Sequence, residues 1–195
     1  MTDPEPARDP AHLWRVRATT VLHRCDWLQL ELATVDLPTG GRIQHHAVRV
    51  ARPAVGVVVH HPGRGVLLLW RHRFIPDAWT YEIPAGRVEA DESVEEAARR
   101  ETREETGWEI GPVQVAVDFF PSIGLSDQRF LIAIASDAIR QGEPTDRDEA
   151  AWVGWVPLPQ LRDHLRRGRV RGGLSLTALL YALALGPLAA PAGRP

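Results

Sequence analysis

The hydrophobic pattern changes period several times along the chain. From Arg15 to Thr34 apolar and polar residues alternate, with Leu28, Leu30 and Leu32 set against Trp27, Gln29 and Glu31. A period of two predicts strands with two unlike faces. Leu37-Pro38-Thr39-Gly40-Gly41 reads as a turn, and Arg42 to Arg52 as a second extended run closed by Pro53. The alternation is then lost. Ala54 to His60 (AVGVVVH) is continuously apolar and β-branched, which predicts a strand buried on both faces. His61-Pro62-Gly63-Arg64-Gly65 turns the chain, and Val66 to Trp70 returns it as a hairpin. Trp79 to Ile83 is a short strand running into Pro84-Ala85-Gly86.

The clearest helix follows. Ser93 and Glu96 form a capping box at its start, and Gly107 stands just past its end, where glycine suits a left-handed turn. Strands are predicted again over Val113 to Phe120, Arg129 to Ala135 and Trp152 to Val156, with loops at Pro121 to Asp127 and Gln141 to Glu149. Leu158 to Arg167 and Ser175 to Leu185 read as helices. Strands, one central helix, more strands and two late helices predict an α/β (α+β) fold with a mixed sheet covered by helices.

Composition narrows the function classes. The chain has 195 residues, enough for one domain or one domain with a small appendage. With 44% hydrophobic residues it is too apolar for wholesale disorder. Cys25 is the only cysteine, so a disulfide framework is excluded. A formal charge of −2 argues against bulk attraction to nucleic acid. All 23 basic residues are arginine, which removes lysine chemistry such as Schiff bases. Leu174 to Ala190 is apolar but is interrupted by Gly186-Pro187, and a spanning helix needs about 20 residues. Met1 to Pro10 lacks the charged-then-apolar order of a secretory signal. The expectation is a cytoplasmic chain with neither a membrane nor a nucleic acid as partner.

The helix carries the candidate chemistry. Val94, Ala98, Glu101 and Glu105 are spaced 4, 3 and 4 and share one face. Two glutamates on a core-facing line repel each other and need a cation. Either the nearby Arg99, Arg100 and Arg103 or a hard divalent metal with oxygen ligands would serve. His45-His46 and His60-His61 have no carboxylate or cysteine spacing that makes a metal site, and Arg162 to Arg171 reads as a solvated helix end.

The spacing goes further. Gly86, five residues, Glu92, seven residues, Arg100-Glu101, two residues, Glu104-Glu105, one residue, Gly107 and then Trp108: this run resembles the Nudix box. Thr102 departs from it, standing where the family more often has an aliphatic residue. The resemblance implies a Nudix-type α/β/α sandwich and hydrolysis of a nucleoside diphosphate linked to another group. It implies Mg²⁺ or Mn²⁺ held by Glu101, Glu104, Glu105 and the Ala85 carbonyl. It implies structural roles for Gly86, Glu92, Arg100 and Gly107, with Glu92 paired to Arg100.

The flanks resemble the ADP-ribose and nucleotide-sugar pyrophosphatase group. Tyr81-Glu82-Ile83-Pro84-Ala85-Gly86, Trp70-Arg71-His72-Arg73-Phe74, Phe119-Phe120-Pro121-Ser122-Ile123-Gly124-Leu125-Ser126-Asp127-Gln128 and Trp155-Val156-Pro157-Leu158 carry that likeness. They imply substrate contacts from Arg71, Arg73, Glu82, Ser122 and Gly124, and catalysis by Glu104, Glu105 and Glu149, the last from the acidic loop before Trp155. The products would be a nucleoside monophosphate and a sugar phosphate. A dinucleotide or a damaged nucleoside triphosphate is the alternative substrate, and a non-catalytic nucleotide sensor the alternative function. The expected layout is a flexible tail at 1–11, N-terminal strands at 12–45 that build a homodimer, a hydrolase domain at 46–187 and a tail at 188–195.

Overall fold

The structure is a computed structural model, and it describes residues 9–146 and 148–189. The stretches 1–8 and 190–195 of the expected tails, and Arg147, lie outside the described residues. The chain divides into two compact units, residues 1–51 with 122–128, and residues 52–121 with 129–195.

In the first unit, β1 (Arg15–Arg24), β2 (Leu28–Asp36) and β3 (Arg42–Val50) form an antiparallel sheet with β2 in the middle. The third strand runs past the boundary expected at 45. Opposite charges stitch the strands together. Asp36 on β2 takes Arg17 from β1 and Arg42 from β3, and Glu31 takes Arg49 at 3.0 Å. Glu31, Ala33 and Val35 are the buried positions of β2, while Leu28 is exposed. The more buried face is thus that of Glu31, and not that of Leu28, Leu30 and Leu32. The segment 122–128 joins this unit through Asp127, which accepts the Val50 amide at 2.8 Å. Residues 10 and 11, placed in the tail, instead open a 3₁₀ turn, Pro10–His12, capped by Asp9.

In the second unit, β4 (Ala54–His61) is the central strand. The order is β12 (Trp152–Val156), β5 (Gly65–Arg73), β4, β10 (Phe130–Ala135), β9 (Val113–Phe119). Also attached are β6 (Ala78–Glu82) beside β5 and β7 (Ala85–Arg87) beside β4. Only the β4–β10 pair is parallel within this mixed sheet. Two further short strands, β8 (Trp108–Glu109) and β11 (Ile139–Arg140), pair with each other. The expected hairpin of β4 and β5 is hydrogen-bonded only at His60 and His61.

The unbroken apolar run of β4 has its cause in two cores. Val55, Val57 and Val59 pack with Ala97 and Ala98 of α1 (Val94–Thr106). Val58 packs instead with Leu161 of α2 (Leu158–Arg166) and Ala178, Leu179 and Ala182 of α3 (Gly173–Ala184). Successive side chains point to opposite faces, so a strand covered on both faces must be apolar at every position. Leu188, assigned to the C-terminal tail from sequence, is buried in the second core and its amide donates to Ala182. Among the described residues no helix is long and apolar enough to cross a membrane.

Candidate active site

Helix α1 begins and ends where its sequence dictates. Ser93 Oγ accepts the Glu96 amide at 3.2 Å, and the Glu96 carboxylate accepts the Ser93 amide at 2.7 Å. Gly107 closes the helix at φ 74°, donating its amide to Arg103. The face turned inward carries Ala97, Ala98, Thr102, Glu105 and Thr106. Thr102 is fully buried, and its hydroxyl donates back to the Ala98 carbonyl at 2.7 Å. A hydroxyl in an aliphatic position is thus satisfied within its own helix.

Glu105 follows Thr102 on this inward face and is 3% exposed. It accepts the Ala85 amide at 2.8 Å and Arg71 Nη1 at 3.0 Å. Strand β5 supplies Arg71, whose Nη2 lies 2.6 Å from Glu149. Arg71 thereby bridges a helix carboxylate and a loop carboxylate. One turn back, Glu101 lies against the β7 backbone. A Cβ at Gly86 would sit 2.0 Å from the Glu101 carboxylate, so only glycine leaves room for it.

Arg100 organises the outer side. Its Nε and Nη2 are held by Glu92 at 2.8 and 2.9 Å, and Nη2 also donates to the Arg87 carbonyl. Its Nη1 then reaches Glu101 at 2.6 Å and Glu104 at 3.2 Å. Arg73 makes a two-pronged contact with the buried Glu82, through Nε at 3.0 Å and Nη2 at 2.6 Å. Ser122 and Gly124 belong to the first unit. There the Ser122 carbonyl accepts the Leu125 and Ser126 amides, and the Gly124 carbonyl faces His45 Nε2 at 2.9 Å.

The electrostatics follow from burial. Desolvation, then the neighbouring Glu149 carboxyl, raise the pKa of Glu105 above the ordinary carboxylate value. Glu149 is lowered, first by a hydrogen bond from Glu105 and further by Arg71. Desolvation raises Glu101 as well. Glu92, followed by Glu101, keeps Arg100 more firmly protonated than a free guanidinium.

Sequence reasoning treated Arg71 as a substrate contact and did not anticipate its ion pairs. The partners lie on three elements, and no local spacing joins them. Two further features were missed. The acidic loop is pinned to α1 through the Thr145 and Asp146 amides, which both donate to the Glu104 carbonyl. Next to Glu105 lies a cavity of about 520 Å³, bordered by Trp108, Arg140, Asp146 and Trp152.

As they stand, no three His, Cys, Asp or Glu side chains among the described residues are gathered closely enough to hold a metal ion. Glu101, Glu104 and Glu105 are each turned onto a guanidinium. The donor set nonetheless fits a hard divalent ion. All its atoms are oxygens, burial leaves the carboxyls of Glu101 and Glu105 short of water to offset their charge, and the Gly86 cradle keeps Glu101 against the backbone.

Residues 50–174 match the NUDIX domain family. The chain is 35% identical over 173 residues to the CMP-5'-(N-acetyl-N-hydroxy-3-aminopropyl)phosphonate hydrolase of Streptomyces rubellomurinus, covering 89% of this chain and 84% of that one. It is 26% identical over 172 residues to the ADP-ribose pyrophosphatase of Mycobacterium tuberculosis, covering 87% and 83%. In fold it resembles a solved ADP compounds hydrolase, with a TM-score of 0.76 and 19% identity, covering 86% of this chain and 90% of that one. A box helix with its acidic face on β7, set in a mixed sheet between two helical layers, agrees with that match: the chain belongs to the Nudix family and is a Nudix hydrolase.

Proposed function

We propose that this hydrolase cleaves the pyrophosphate bond of ADP-ribose or a related nucleotide sugar, using Mg²⁺ or Mn²⁺. ADP-ribose would yield AMP and ribose 5-phosphate. The observation that carries the reading is the arrangement of Glu101 and Glu105 beside the Ala85–Gly86 backbone, with Glu104 joined to Glu101 through Arg100 and Glu149 of the loop hydrogen-bonded to Glu105. Glu101, Glu104, Glu105 and the Ala85 carbonyl would hold the ion. When bound there, it would offset the charge of the diphosphate and acidify a water molecule.

The chain's own residues would do the rest. Glu149, kept ionised beside Arg71, is the acceptor we assign for the proton of the attacking water. Glu82 orients Arg73 by gripping one edge of its guanidinium, and we assign the diphosphate contact to Arg73. Arg71 is turned onto carboxylates and is better read as support for them. The test is incubation with ADP-ribose and Mg²⁺, followed by chromatography for AMP. No turnover of any nucleotide sugar by protein with bound Mn²⁺ would sink the reading.

A second reading has its own support. The relative at 35% identity is named for a nucleoside monophosphate joined to a phosphonate. A panel of CMP-linked phosphonates, nucleotide sugars and dinucleotides separates the two by their kcat/KM ranking. We also propose a homodimer built through β1. That strand is exposed at all ten residues, including Val16, Val21 and Leu22, and it pairs with β2 alone among the described strands. An exposed sheet edge of this kind invites strand pairing. Light scattering on the eluting protein should give twice the chain mass, and a monomer would remove the idea.

A further inference from the structure

We propose that Arg71 is a built-in cation of this site. Its guanidinium is paired with both Glu105 and Glu149 and takes the position against them that a second divalent ion would otherwise take. The chain then gathers one divalent ion before substrate arrives, held by Glu101, Glu104 and the Ala85 carbonyl, with Glu105 shared between that ion and Arg71. This inference rests on the reading of the box carboxylates as metal-holding.

The two arginines of the site differ in what they lose when a metal ion competes for their carboxylates. Arg100 is 27% exposed in its side chain and keeps Glu92 and the Arg87 carbonyl whatever happens to Nη1. Releasing Glu101 and Glu104 costs it one nitrogen's contacts. Its place on the helix surface makes that release easy, and of the two carboxylates it frees Glu101 is the one beside the Gly86 cradle.

Arg71 has no such reserve. Its side chain is 9% exposed, and its ion-pair partners are Glu105 at 3.0 Å and Glu149 at 2.6 Å. Its Nε is buried with no hydrogen-bond partner. Strand β5 is flanked along this stretch by β6 and β12, and Trp70, one residue earlier, accepts the Ala151 amide at 2.9 Å. A divalent ion entering between Glu105 and Glu149 would leave a guanidinium buried without a counter-charge and close to a second cation. Both consequences are unfavourable in a desolvated site. Arg71 therefore stays, and the Glu105–Glu149 pair stays closed to a second metal ion.

The experiment is a Mn²⁺ titration of the full chain without substrate, following the magnetic-resonance signal of the free ion. The intact protein should take up one Mn²⁺ per chain and Arg71→Gln should take up two. Arg71→Lys keeps the charge and should return the count to one. Equal counts for the intact chain and Arg71→Gln overturn the proposal. Two ions on the intact chain overturn it on their own, whether or not Arg71→Gln folds. That outcome with ADP-ribose still hydrolysed sinks this inference alone. A chain that binds one Mn²⁺ but cleaves no nucleotide derivative sinks the proposed activity and leaves this inference standing.

Discussion

Glu105 combines a helix position that belongs in the core with a charge that belongs in water. Its carboxylate is tolerated because the Ala85 amide and Arg71 both donate to it. Glu105→Gln keeps an acceptor for the Ala85 amide but discards the charge. We expect kcat to fall by about 10²–10⁴-fold, read as AMP release at saturating Mg²⁺, with the fold retained by circular dichroism. A loss of only a few-fold would take Glu105 out of the chemistry. Gly86 gives a second test by geometry. In Gly86→Ala the new Cβ would lie 2.0 Å from the Glu101 carboxylate, so that side chain must move. Mn²⁺ binding should weaken, and an unchanged affinity would show that Glu101 has no part in holding the ion. At this scale, the glutamates and Gly86 were legible because they lie on one short segment of fixed spacing. The Arg71–Glu105 pair was not, since its partners are 34 residues apart and meet only through packing.

The elements that could be read from sequence are those long enough to show a period. Strand β4 announces itself by losing alternation, since both of its faces are covered. Helix α1 announces itself by caps. Strands β7, β8 and β11, of three, two and two residues, have no period to detect, and β7 lies in the stretch that simply follows the strand at Trp79 to Ile83. Which face of β2 is buried could not be read from alternation, for a different reason. Glu31 is buried because Arg49 and Gln29 satisfy it, and alternation cannot see a partner on another strand. The cap itself is testable. Ser93→Ala removes the side-chain acceptor of the Glu96 amide and should cost about 1 kcal/mol in urea unfolding. The helix should still form, because its stability comes mainly from packing on β4. A second element-scale test concerns β12. There the Trp152 ring lies across Gly154, and a Cβ at 154 would be 2.3 Å from it. Gly154→Ala should displace the indole that borders the cavity beside Glu105. The expected sign is a shift in intrinsic fluorescence with a changed KM for the nucleotide. An unchanged spectrum would place the ring elsewhere.

Over the whole molecule, a formal charge of −2 conceals a pairing of nearly every described carboxylate cluster with arginine. Arginine stays protonated at any ordinary pH, so mild acid does not act through those guanidinium groups. Histidines remain, and two sit in the second unit with depressed pKa values. His164 stacks on Tyr81 with ring centroids 4.3 Å apart, and its Nδ1 is buried without a hydrogen-bond partner. Desolvation lowers it first, then Arg169. Asp163 opposes the shift and Arg167 adds to it. Desolvation also lowers His60, with Asp137 opposing and His61 adding. The sign follows from linkage. Each group has a folded pKa below the ordinary 6.5. As pH falls through that value the unfolded chain takes up protons that the folded chain refuses, and stability drops. Above it both states are neutral there and the contribution is constant. Glu105, whose folded pKa is pushed up to about 9, acts with the opposite sign and adds stability as pH falls from about 9 toward 4.5, so the histidine share is read between about pH 6.5 and 5 as the urea midpoint of the intact protein relative to that of a histidine variant. His164→Phe keeps an aromatic ring for Tyr81 and removes the proton site, so the intact protein's midpoint should fall relative to the variant's over that interval. If the two midpoints run in parallel between those pH values, His164 has no share in the acid sensitivity of the fold.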